Sequence, residues 1–117
     1  MSYMLLILEE PGQRATRTEA EGHAVYDRML QFAGKLKSRG VLKAVESLAS
    51  HRDAARVKVN AGRAQVLDGP FAEAKEMVGG FFLLECASRE EALAIARECP
   101  AAEWATVEVR ETAPCYM

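Results

Sequence analysis

The sequence has no long apolar run. Its densest stretches, Met4 to Leu8 and Val78 to Leu84, fall far short of the ~20 residues that cross a bilayer, so no membrane association is expected. It also lacks an excess of either charge. Fifteen Lys and Arg stand against seventeen Asp and Glu, a net charge of -2, and no global field gathers phosphate backbones, so nucleic acid is not expected as a partner. Its three cysteines form no framework spacing, and the opening Met-Ser-Tyr-Met-Leu-Leu has no basic segment of the kind that begins a signal peptide. A reducing, cytoplasmic setting is expected. Neither of the two histidines joins an HxxxH pattern and the cysteines form no CxxC pair, so no metal site is predicted. Gly79-Gly80 leads into a strand instead of linking a strand to a helix, which removes the usual phosphate loop and with it a nucleotide cofactor. No cofactor of any kind is expected.

What is present is enough for one core. The chain has 117 residues, half of them hydrophobic and 27% charged, a globular balance within the roughly 150 residues typical of a single domain. One domain is expected over residues 1–112, with a tail over 113–117. Tyr3 to Leu8 is apolar without a break, too short for a helix, and ended by Glu9-Glu10-Pro11-Gly12, which predicts a first strand buried on both faces. Thr18-Glu19-Ala20-Glu21 fits a capping box, and Val25, Met29, Phe32, Ala33 and Leu36 keep one apolar stripe up to the stop at Gly40, so a helix is predicted over 19–39.

Val41 to Leu48 mixes apolar residues with Lys43 and Glu46, as an edge strand does. Ala55, Val57 and Val59 alternate with Arg56, Lys58 and Asn60, and Arg63 to Leu67 returns after the turn residues Asn60-Ala61-Gly62, predicting a hairpin. Pro70 is expected to open a short helical turn through Lys75. Val78 to Leu84 is apolar on both faces, which places a fifth strand mid-sheet, and its glycines point to close backbone approach. Ser88-Arg89-Glu90-Glu91 opens a second capped helix that Pro100 stops, and Trp104 to Arg110 alternates as a sixth strand.

The order is β-α-β, a β-hairpin, then β-α-β, which predicts an α+β fold of ferredoxin-like type with the first and fifth strands central. Two helices cover only one face of such a sheet. The other face then needs a cover, and a homodimer packed sheet against sheet is predicted.

Asp68-Gly69-Pro70-Phe71-Ala72-Glu73-Ala74-Lys75-Glu76, then Gly79-Gly80-Phe81-Phe82-Leu83-Leu84-Glu85 and Val107-Glu108-Val109-Arg110, resemble the YCII-related family in its DGPF branch across nearly the whole chain. The chain departs from that branch at Glu111-Thr112, where arginine-proline is common. The resemblance implies a dimeric α/β-barrel of ferredoxin-like units that hold ligands between sheet and helices. It implies no single reaction: one relative is a dehydrochlorinase of aromatic degradation, and DGPF proteins often accompany extracytoplasmic-function sigma factors.

Candidate chemistry rests on few groups. Asp68 is read in two ways: as a turn carboxylate that takes N–H bonds while Gly69 supplies an unusual dihedral and Phe71 plugs the core, or as an acid–base group beside a dimer cleft. His23 falls off the core stripe with Tyr26 and Leu30, with Asp27 one turn on; it is either a catalytic helper or a solvated or interface histidine. His51, in a polar loop, is expected to be exposed. Glu46 and Glu85, with Arg56, Lys58, Thr106, Glu108 and Arg110, are either solvated edge charge or the lining of an inter-subunit pocket for a small anion. Cys86 is read as a small core residue. The expected role is therefore small-molecule handling in a cleft near the dimer interface by cofactor-free lyase or isomerase chemistry, with Asp68 and His23 catalytic and Glu46, Lys58, Glu85 and Arg110 binding the ligand. The rival is a non-enzymatic regulatory module tied to a sigma factor.

Overall fold

A computed structural model describes residues 1–117 in full. Strands β1 (Ser2–Glu9), β2 (Leu42–Ser47), β3 (Ala55–Asn60), β4 (Arg63–Asp68), β5 (Met77–Glu85) and β6 (Thr106–Glu111) alternate with helices α1 (Glu19–Ser38) and α2 (Arg89–Glu98). Short 3-10 turns lie at Arg14–Thr16, His51–Asp53 and Pro100–Glu103. Four strands form an antiparallel sheet in the order β2-β5-β1-β6, while β3 and β4 pair only with each other. This is the ferredoxin-like α+β arrangement, with the two most apolar strands in the middle.

The helices start where the caps place them. The Thr18 side chain accepts from Glu21 N–H at 3.1 Å, and the Glu21 carboxylate accepts from Thr18 N–H at 2.8 Å, closing both halves of the box. Gly40, at φ +74°, ends α1 in the left-handed region that glycine tolerates. At α2, Ser88 caps the Glu91 N–H, but the Glu91 carboxylate reaches the N–H of Ala87 and not that of Ser88. Both helices lie on one face of the sheet, where Leu5, Leu36, Leu84 and Ile95 are fully enclosed. Each contributes about 1.5–3 kcal/mol by leaving water. Phe32 and Phe82 meet edge to face, with ring centroids 5.4 Å apart, and Cys86 lies in this core.

Several sequence expectations are corrected. Strands β1 and β5 are buried on one face only within a single chain: Tyr3, Leu5, Ile7 and Glu9 are enclosed, while Met4, Leu6, Leu8, Phe81 and Leu83 stay partly exposed because no layer covers that face. Residues 70–75 form an irregular turn, held by Ala74 N–H donating to the Phe71 carbonyl at 3.1 Å, and no helix. Gly69 has no left-handed dihedral. Glycine is needed there because any Cβ would collide with the His51 carbonyl, and its N–H donates to the Ala54 carbonyl at 2.7 Å. His51 is half-buried, its ring edge-on to Phe71 with centroids 5.7 Å apart. Phe71 itself is buried, but in this satellite contact and outside the main core, with the Arg56 guanidinium 3.7 Å from its ring centroid.

Candidate functional site

The most enclosed of the larger clefts opens between the helix-covered face of the sheet and the first half of α1. Its floor comes from Ile7 and Phe82, its roof from Val25, Tyr26 and Met29 on α1, and one end wall from Trp104 after the last 3-10 turn. The volume is about 280 Å³, close to the lower bound of ~300 Å³ for small-molecule sites, which suits a compact ligand of about one substituted ring.

One acid is buried here. Glu9 ends β1 on the covered face, only 6% exposed, because the alternation that buries Tyr3, Leu5 and Ile7 continues one step past the apolar run. Its Oε1 accepts from Arg14 Nε at 2.5 Å. The same guanidinium donates to the carbonyls of Leu48 at 2.7 Å and Gly79 at 3.3 Å, so Arg14 ties the ends of three strands around the carboxylate. Glu9 Oε2 carries no hydrogen bond from the protein and lies against Gly79, where a Cβ would run into it. Gly79 is also the extra residue of a bulge, for Ile7 pairs with Gly80 and Leu8 with Val78. The bulge and the missing side chain together make room for the acid.

The mouth carries a second cation. Arg17 lies 5.8 Å from the Trp104 ring centroid and joins none of the chain's ion pairs. Arg28 covers the same ring at 5.5 Å and is paired with Glu103. Gln13 Nε2 donates to the Trp104 carbonyl at 2.7 Å, which fixes the wall. The cleft thus combines apolar and aromatic walls with a carboxylate whose free oxygen accepts hydrogen bonds and an unpaired guanidinium nearby. Such a set receives an O–H or N–H of a ligand at Glu9 and an electron-rich group at Arg17.

Of the six residues singled out from the sequence, only Glu46 lines this cleft. Asp68 is exposed at the end of β4, opposite Ala55. His23 is exposed on α1, its Nε2 3.8 Å from Glu19. Lys58 projects from the hairpin and Arg110 from the edge strand β6, both exposed. Glu85 lies at the far end of β5, bound to the Met1 ammonium at 2.5 Å and to Ser2 Oγ at 2.9 Å, and these partners hold its carboxyl below the ordinary range. Glu46 and Glu85 therefore do not form a carboxylate pair. Sequence reasoning passed over Glu9, Arg14 and Arg17. The available signal was Glu9 falling in phase with Tyr3, Leu5 and Ile7, ahead of a Gly-Gly bulge on the neighbouring strand.

The fold and cleft define a class: a ferredoxin-like α+β unit with a ligand-sized space between sheet and helix. The model of the YCII-related domain matches residues 1–115, and the chain belongs to that family. An uncharacterised protein of Rhizobium meliloti is 35% identical over 98 residues, 84% of this chain and 79% of that one. Among solved structures, 5-chloro-2-hydroxyhydroquinone dehydrochlorinase of Burkholderia phenoliruptrix, in complex with 2,5-dihydroxybenzoquinone, superposes with a TM-score of 0.57 at 16% identity. That likeness covers 97% of this chain and 94% of the other, and it shows the shared fold. No helix of the chain is long and apolar enough to cross a membrane.

Proposed function

We propose that the chain handles a compact, hydroxylated small molecule in the cleft between the sheet and α1, with Glu9 as its proton-accepting group. The observation that carries this reading is a buried carboxylate with one oxygen fixed by Arg14 and the other free, in a cleft with mostly apolar walls. In this reading Glu9 takes the acid–base place expected for Asp68, and Arg14 keeps it oriented as a positioning residue. Arg17 meets the charge that develops on the ligand once its proton is lost. The reaction class is lyase- or isomerase-like: Glu9 takes a proton from the ligand, and the electron pair left behind either is protonated again at another atom or expels a leaving group as its anion. A structural neighbour that removes chloride from a hydroxylated ring supports the class. The working form is a homodimer in which two copies cover each other's open sheet face, where Met4, Leu6, Phe81 and Leu83 stand partly exposed.

The test is a binding titration with 2,5-dihydroxybenzoquinone and simple hydroquinones, followed by calorimetry and absorbance. The wild-type chain binds a member of this set, Glu9→Gln weakens that binding at least about tenfold while keeping the wild-type circular dichroism, and Asp68→Asn leaves it unchanged. Equal binding by wild type and Glu9→Gln would remove the assignment.

A further inference from the structure

The β3–β4 hairpin is bonded only to itself, and every residue of both strands is exposed. A lone two-stranded hairpin is marginal in water, so one this regular needs a surface to lie on. Its two-residue turn sets the register: Val57 faces Val66 and Val59 faces Ala64, which gathers the three valines on one side, with Asp68 opposite Ala55 at the root of that side. Val57, Val59 and Val66 remain 67%, 62% and 65% exposed. The opposite side carries Arg56, Lys58 and Arg63 beside Leu67 and no carboxylate, so the rest of the chain is more acidic than its net charge of -2 indicates.

Whole-chain dimensions point to the same surface. The radius of gyration is 16.0 Å, against about 13 Å for a compact chain of this length. The molecule measures 46 × 42 × 19 Å, a slab one helix layer and one sheet layer thick. Its accessible surface is 8063 Å², where a monomer of 12.8 kDa exposes roughly 6,300 Å². The excess of about 1,800 Å² is what one partner contributes to an obligate interface. One chain thus presents two uncovered apolar surfaces, the open sheet face and the hairpin, together with a basic strip and an acidic remainder. A second copy offers the same set, and a two-fold arrangement lets each chain's projecting element meet the other's body.

We infer that the β3–β4 hairpin is an arm that clasps a second copy of this chain, burying Val57, Val59 and Val66 against it. This inference rests on the homodimer reading above and extends it from the sheet face to the arm. The arm is rooted beside the cleft, since the connection into β3 leaves from Leu48, whose carbonyl Arg14 holds, and the connection out of β4 returns through Met77 to Gly79.

The test is sedimentation equilibrium of the full chain, wild type against Val57→Asp/Val66→Asp, from nanomolar to high micromolar concentration. Both residues are exposed in the single chain, so the core is untouched, as circular dichroism will confirm; because the two aspartates face each other and loosen the hairpin, the threonine pair below carries the comparison without that repulsion. The expected result is a wild-type dimer and a double variant that associates at least about a hundredfold more weakly. The isosteric pair Val57→Thr/Val66→Thr gives a smaller loss of the same sign. Hydrogen exchange of the hairpin amides slows in the wild-type dimer and is fast in the Asp variant. Leu6→Asp, on the open sheet face, separates the two readings. If that variant is monomeric while Val57→Asp/Val66→Asp associates like wild type, the arm is overturned and the sheet contact stands. A monomeric wild type overturns both.

Discussion

The neighbourhoods of Glu9 and Asp68 make an instructive pair. Both residues close a β-strand, both precede a proline by two residues, and both belong to segments that glycine makes possible. Asp68 sits in the most recognisable stretch of the sequence, yet its carboxylate is exposed on a hairpin outside the main sheet. Glu9 belongs to no motif, yet the fold encloses it, pairs it with Arg14 and sets it in a cleft. A distinctive motif therefore marks where the chain must bend closely, as Gly69 does against the His51 carbonyl. A charge carried inside by the phase of a strand marks where chemistry is concentrated, because burial makes each of its interactions stronger.

The contrast breaks most visibly through Arg14. Arg14→Ala leaves the Glu9 carboxylate enclosed without its partner and is expected to cost about 2–3 kcal/mol in urea unfolding, below the full buried-pair value because the Arg14 side chain is one-third exposed. Asp68→Ala in the same assay should stay within about 0.5 kcal/mol. Equal losses would erase the distinction. Gly79→Ala comes next: the added methyl meets the Glu9 carboxylate and should destabilise by about 1–3 kcal/mol, while also weakening ligand binding in the titration proposed for Glu9→Gln.

The roof of the cleft is sharpened by pH. Glu21 is held below the ordinary carboxylate range chiefly by the Thr18 N–H and then by the Thr18 hydroxyl. A lowered folded-state value contributes stability above the unfolded value and loses it as pH falls through the folded one, so wild type should lose this increment only in the acid range. Glu21→Gln should remove that acid-side slope in a urea series across pH, and Thr18→Ala should cost about 1 kcal/mol at neutral pH. The smallest effect belongs to the hairpin turn. Ala61 sits at φ +50° beside Gly62 at φ +77°, the geometry of a two-residue turn that favours Asn-Gly. Ala61→Asn should slow exchange of the hairpin amides and stabilise by about 0.5 kcal/mol.

Much of the frame was legible beforehand because its signals are local. Thr18 and Glu21 marked the start of α1, Gly40 its end, and the alternation of Val57 and Val59 the hairpin. Met4 to Leu8 and Val78 to Leu84 marked the central strands. The apolar content of those two strands also indicated an uncovered face, and the partial exposure of Leu6 and Phe81 in the single chain is its structural counterpart. The site was less legible. Glu46, expected among the ligand-binding groups, does line the cleft, but rare residue types and the DGPF stretch point away from Glu9. Glu9 and Arg14, five residues apart in an acidic and basic turn, look like ordinary surface charge.

The sequence by itself determined the elements, their order and the family resemblance, since propensity, capping and hydrophobic period act over a few residues at a time. Only tertiary structure decided which charge went inside. Glu9 is enclosed because β1 runs one residue beyond its apolar stretch beneath α1, Gly79 leaves room on the adjacent strand, and Arg14 returns to neutralise it. Those are relations among three separate segments that short-range patterning does not encode, and burial is a property of their joint arrangement.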